Sequence, residues 1–303
     1  MLFRSRLAFA IVAAFGAAFV ITVPFATTPL PQFVAWVPAF TTAFIINDFI
    51  TSTLLFSQFS IANQRALLAL AIGYLFSALI VIPYALTFPG VFAPTGLLGA
   101  GLQSAVWFYI TWHITSPLSV IIYKLVKQAK NKTSAPQGEM GFQIGLSVAL
   151  VIGAVCALTW FFTARHGQLP EIYLDKSRLS PLANVAAGLI FSLCAIALAL
   201  LWIRRDSVLD LWLTVTVCAW LMEITLNGLF LTDRFSLAWY MGRIFALISS
   251  SIVLIMLLSE ATTLYAHLAR SFMRQRAARQ ARHVAMDAMA ASIAPVLDRK
   301  SVV

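Results

Sequence analysis

Long apolar runs alternate with short polar breaks along this chain. The runs cover about residues 7–26, 36–58, 66–87, 104–125, 142–163, 181–203, 208–230 and 244–264. Each comes close to the roughly 20 residues that a helix needs to cross a hydrocarbon core of about 30 Å. Only helices or closed barrels satisfy their backbone in lipid, and the period-two alternation of barrel strands is absent. The pattern therefore predicts an all-α, polytopic membrane protein with about eight transmembrane helices.

The last run does not end in a loop. Its helical register continues from Glu260 through Leu264, Leu268 and Phe272 into an arginine-rich segment that reaches Ala294. Ala277, Ala281, Val284, Ala288 and Ala291 recur at spacings of four and three, a coiled-coil seam whose small side chains bury little area. Pro295 is expected to stop this helix. The predicted organisation is a membrane domain over 1–268, a cytoplasmic linker helix over 269–294 and a non-helical tail over 295–303.

Composition agrees with the pattern. Of 303 residues, 61% are hydrophobic and 11% charged, too little charge to coat a soluble fold of this size. The formal net charge is +10, and its distribution is uneven. With the N-terminus inside, sixteen Lys and Arg fall on the inner side, among them Arg4, Arg6, Arg65, Lys124, Lys127, Arg204 and Arg205. Five fall outside: Arg165, Lys176, Arg178, Arg234 and Arg243. The positive-inside rule then places both termini in the cytoplasm. The charge reads as a topology signal, and no nucleic-acid partner is expected. Arg4 and Arg6 ahead of the first run, with Val23-Pro24-Phe25-Ala26 after it, resemble a signal peptide. The length of the run favours an uncleaved anchor.

Breaks between runs carry further signals. Pro83 is expected to weaken the end of the third span. The apolar but helix-breaking stretch from Leu86 to Gly101 reads as a tight connection or as a lid over a pocket. Trp239, Tyr240 and Arg243 before the last span suit an aromatic belt and a snorkelling cation. Asn131-Lys132-Thr133 matches a glycosylation sequon but falls in an inner loop. Cys156, Cys194 and Cys218 lie inside spans without metal or redox spacing, and read as packing residues.

Ionisable groups inside spans are costly and mark function or a buried pair. Asp48, His113 and Glu223 are such groups, whereas Asp210 and Glu260 lie near inner ends where they reach water. Helical spacing gives each intramembrane group polar company on its own face. Thr41, Asp48 and Ser52 share one face, Tyr109, His113 and Ser116 another, and Thr216, Trp220, Glu223 and Asn227 a third. If these faces converge, Asp48, His113 and Glu223, with Asn47, Trp112, Trp220 and Asn227, form a candidate ligand-binding or proton-sensitive pocket. The same groups would serve a proton- or ion-coupled secondary transporter, or would simply fix packing through interhelical hydrogen bonds. One histidine and two acids from three helices make no recognisable metal motif, and no cofactor is expected. No Walker loop, GxSxG or HExxH occurs, so no catalytic residues are assigned and the chain is not expected to be an enzyme.

Several stretches together resemble the membrane-associated sensor domains called MASE, and most closely the fourth type described. They are Asn47-Asp48-Phe49 with Leu54-Leu55-Phe56-Ser57-Gln58-Phe59, Gly73-Tyr74-Leu75-Phe76, and Ala85-Leu86-Thr87-Phe88-Pro89-Gly90-Val91-Phe92. Gln103, Trp107, Trp112 and His113 follow, then Asp233-Arg234, Trp239-Tyr240, Gly242-Arg243 and Leu257-Leu258-Ser259-Glu260. The likeness covers about 36–270. It implies a sensory input domain of a bacterial inner membrane that precedes a cytoplasmic diguanylate cyclase or histidine kinase. Met286-Asp287-Ala288-Met289-Ala290-Ala291-Ser292-Ile293-Ala294 is similar to the start of a histidine-kinase dimerisation helix. The His-Glu pair that would follow is replaced by Pro295-Val296-Leu297-Asp298, so a truncated kinase-type protein is expected. The implied partners are the lipid bilayer, which Arg270, Arg274, Arg276, Arg279 and Arg282 would meet at its surface, a second copy of the chain through the C-terminal helix, and a kinase or response-regulator output.

Overall fold

The computed structural model describes residues 2–129, 139–174, 180–203, 206–229 and 234–298. The sequon at Asn131, Lys176, Arg178, Arg204, Arg205 and Asp233 lie outside the described residues, as do the side chains of Ala277, Val284, Ala288 and Ala291. Eight long helices are described: α1 (Leu2–Thr22), α2 (Trp36–Ala62), α3 (Arg65–Thr87), α4 (Ser104–Gln128), α5 (Met140–Ala164), α6 (Pro181–Ile203), α7 (Val208–Leu229) and α8 (Leu237–Asp298). All eight contain a segment long and apolar enough to cross a membrane. The expected helix count and positions hold, and among the described residues the only β pairing is a single bridge, Pro29 with Ser236.

α3 is the most enclosed helix and packs against α2, α4 and α5. Gly73 permits the close α3–α4 approach, since a methyl group there would stand 2.3 Å from the Ser119 Cβ. α5 and α6 present most of their surface outward, with Leu150, Trp160, Val185 and Trp202 exposed. Those faces suit lipid, where exposed apolar side chains carry no penalty. An aromatic-rich core gathers Phe44, Tyr84, Phe88, Phe108, Trp112 and Trp239.

Two boundaries, both of α8, differ from the sequence expectation, whereas the end of α3 agrees with the run that closes at residue 87. α3 runs through Pro83 to Thr87, whose hydroxyl donates to the Pro83 carbonyl at 2.7 Å. α8 begins at Leu237, so Trp239, Tyr240 and Arg243 are helical instead of forming an outer loop, with Trp239 and Arg243 buried and Tyr240 partly so. Ser236 starts it: its Oγ accepts from the Trp239 N–H at 3.4 Å, the N-cap bond that serine makes to the third helical residue. At the other end α8 continues past Pro295 to Asp298. Proline's fixed φ is itself helical, and this near a helix end it forfeits a single backbone bond.

The chain divides into two compact units, Met1–Met256 and Leu257–Val303, a boundary earlier than residue 268. Side chains just beyond it, Leu258 and Ser259, are exposed. In the second unit Arg270, Arg274, Arg276, Arg279 and Arg282 are likewise exposed.

The connection after α3 folds on itself, with the Leu97 N–H donating to the Leu86 carbonyl at 2.8 Å. Gly96 sits there at φ +88°, and an added Cβ would lie 2.3 Å from the Thr87 carbonyl oxygen. Gly96→Ala is expected to lower stability by about 2 kcal/mol. Thermal unfolding in detergent checks this, and an unchanged midpoint would refute the tight turn.

Candidate functional site

The polar faces of α2, α4 and α7 do converge. Asp48, Trp112, His113, Ser116, Trp220 and Glu223 line one cavity of about 30 Å³, completed by residues of α3, α6 and α8. One water needs roughly 10–15 Å³ on this measure, so the space suits a water or two.

Two hydrogen-bonded groups meet at this cavity. In the first, Asp48 is a hub between helices. Its Oδ2 accepts from the Ser77 hydroxyl of α3 at 2.5 Å, and its Oδ1 accepts from the Ser250 hydroxyl of α8 at 2.7 Å. The Trp112 indole N–H of α4 donates to Ser77 Oγ at 2.7 Å. One carboxylate thus joins α2, α3 and α8 directly and α4 through a serine. The adjacent Asn47 lines neither this cavity nor the next one. Its Nδ2 donates to Ser251 Oγ at 2.8 Å, a second tie from α2 to α8.

The second group is His113 of α4 against Glu223 of α7. His113 Nδ1 lies 2.9 Å from the Tyr109 carbonyl, and Nε2 lies 3.1 Å from Glu223 Oε1. A carbonyl can only accept, so Nδ1 carries a proton. The Nε2···Oε1 contact then holds one more proton, on either the ring or the carboxyl. Both side chains are nearly inaccessible, and Glu223 Oε2 is buried without a hydrogen-bond partner. The Tyr74 hydroxyl, which also lines the cavity, is likewise buried and unsatisfied.

A neighbouring cavity of about 90 Å³ lies toward the Trp239 end of α8. Asn227 lines this one, with its Nδ2 donating to the Tyr109 hydroxyl at 3.2 Å. Phe88 reaches it from the end of α3. Its further cover comes from Ile172 and Tyr173 of the α5–α6 connection, whose N–H groups donate to Gln103 Oε1. Trp107 holds the same connection through the Pro170 carbonyl at 3.0 Å. Of the helix-breaking stretch from Leu86 to Gly101, Phe88 alone among the described residues contributes to this lining.

At the opposite end of the bundle is an ion cluster that sequence reading missed. Asp210 of α7 does not reach water; it is fully buried. Lys127 lies 2.9 Å from its Oδ1 and Lys124 3.1 Å from its Oδ2, while the Tyr123 hydroxyl donates to Oδ1 at 2.7 Å. In the sequence alone, Lys124 and Lys127 read only as topology charges. Tyr123, Lys124 and Lys127 share one face at i, i+1 and i+4, and an acid at the matching level of another helix was the available clue. Ser77 and Ser250 carried no signal, because serines are common in membrane helices. Among the described residues no three His, Cys, Asp or Glu side chains gather as a metal site would need.

Eight apolar helices around a buried polar layer define a multi-pass integral membrane protein. Residues 31–265 match the model of the MASE4 family, described as a membrane-associated sensor, integral membrane domain. The chain belongs to that family and is a membrane-associated sensor domain. Neither the curated proteins nor the solved structures searched give a match.

Proposed function

We propose that the chain is the sensory input domain of a bacterial inner-membrane protein of histidine-kinase type, with both termini cytoplasmic and α8 as its signal carrier. The observation that carries this reading is the tie between the intramembrane polar layer and α8. Asp48 and Asn47 bond Ser250 and Ser251 on the same helix that continues to Asp298. Any rearrangement at Asp48 must alter bonds to that helix. The excess of inner-side Lys and Arg supports the orientation. The likeness of residues 286–294 to a dimerisation-helix start supports the type of output, whether joined to this chain or separate. The exposed arginines fit an anionic lipid surface at about 1 kcal/mol each, and the seam from Ala277 to Ala291 fits a second copy of the chain.

The test fuses residues 1–294 to an intact histidine-kinase core in proteoliposomes. Asp48→Asn, His113→Ala and Glu223→Gln are each expected to shift autophosphorylation by roughly fivefold or more, the lower range of allosteric coupling. A core indifferent to all three would sink the proposal.

A further inference from the structure

The cavity at the Trp239 end has a charge imbalance that the sensor reading does not use. Arg243 and Arg234 both line it, and among the described residues no acidic one does. Arg243 is 6% exposed. Its guanidinium stacks on the Trp239 ring with Cζ 3.7 Å from the centroid, Nη1 donates to the Trp239 carbonyl at 2.9 Å, and Nη2 makes a long 3.4 Å contact to the Tyr84 hydroxyl. Nε is buried with no hydrogen-bond partner. Among the described residues neither arginine forms an ion pair. A buried guanidinium is normally matched by an anion or by full hydrogen bonding, and here one donor is unmatched in a side chain that lines the cavity.

The rest of the wall gives the shape. Arg234 stacks on Tyr173 with Cζ 4.5 Å from the centroid and on Phe88 at 5.3 Å. Tyr109 and Trp239 line the same cavity. Asn227 adds one buried oxygen, Oδ1, that accepts nothing. The side chains that line the cavity therefore include one unmatched guanidinium donor and one unmatched amide acceptor, both buried, among aromatic residues. The volume, about 90 Å³, is several times that needed by one water.

We propose that this cavity binds a small, flat organic carboxylate carrying one hydroxyl or amino donor, with Arg243 and Arg234 taking the carboxylate, the aromatic rings sandwiching the body and Asn227 Oδ1 accepting from the donor. A guanidinium matches a carboxylate with paired donors, which an ammonium group does not reproduce. The proposal deepens the sensory reading by naming a ligand class. It is tested by binding to the chain with no output attached, so a silent kinase fusion and a failed binding experiment are distinguishable.

The experiment titrates 4-hydroxybenzoate into the full chain in nanodiscs by calorimetry, with 4-hydroxybenzamide as its neutral counterpart. Saturable binding of the carboxylate is expected, at least tenfold tighter than the amide. Arg243→Lys is expected to weaken it at least tenfold and Arg234→Gln severalfold. Arg234 is only half-buried, so its variant should fold even if the Arg243 variant does not, and circular dichroism checks both. No saturable binding at millimolar probe, equal affinity for the amide, or an unchanged affinity in folded arginine variants would each overturn the proposal.

Discussion

Asp210→Ala is expected to destabilise the bundle by about 3–5 kcal/mol, the cost of breaking a buried ion pair by removing one partner. Asp210 stands between two ammonium groups, within 3.1 Å of both, and also accepts from the Tyr123 hydroxyl and the Asp206 N–H. Lys124 is fully enclosed, so its charge cannot be screened by turning outward. The substitution removes an anion that both cations contact, and their mutual repulsion adds to the loss. Asp210→Asn retains the shape but not the charge, and is expected to cost nearly as much. A double variant, Lys124→Met with Asp210→Asn, should recover part of the loss, because it also removes the most enclosed cation. Denaturant unfolding in mixed micelles measures all three. An Asp210→Ala protein within about 1 kcal/mol of the parent, the range of exposed pairs, would show that water reaches the cluster.

How much of this was readable from the chain depends on the range of the signal. Span positions are set by apolar length, a local property, and the eight helices sit where the runs lie. The intramembrane acids and His113 stand out because each lies well inside an apolar run, away from its polar ends, and their helical faces meet as spacing implied. What stayed hidden needed long-range pairing. Ser250 is 202 residues from Asp48 and looks like any other membrane serine. Lys124 and Lys127 looked like boundary charges because their partner is 86 and 83 residues away in sequence. Arg243 was misplaced for a local reason. Starting the last span at its strongest apolar residues put Arg243 outside, whereas the Ser236 cap begins the helix seven residues earlier and turns the arginine inward.

His113→Leu is expected to destabilise the protein by about 3 kcal/mol, and adding Glu223→Leu to restore more than half of that. Two effects compete, and their sizes decide the outcome. An interhelical hydrogen bond between neutral groups in a membrane is worth only about 0.6 kcal/mol on average, because the unfolded chain in lipid also finds partners. The loss of that bond alone would barely register. Removing His113, however, leaves Glu223 facing an apolar side chain with one oxygen newly unpaired and the other already without a partner. A buried carboxyl left so exposed to low dielectric pays its desolvation in full, whereas removing both partners together leaves nothing unsatisfied. Leucine also replaces most of the ring packed at 3.8 Å from Tyr109 and 4.6 Å from Trp112, which limits the cavity it leaves. The single variants, the double variant and the parent make a cycle whose coupling is expected at about 1–3 kcal/mol. Coupling near zero would mean that Glu223 reaches water once His113 is gone, and that the His113–Glu223 contact is not an enclosed pair.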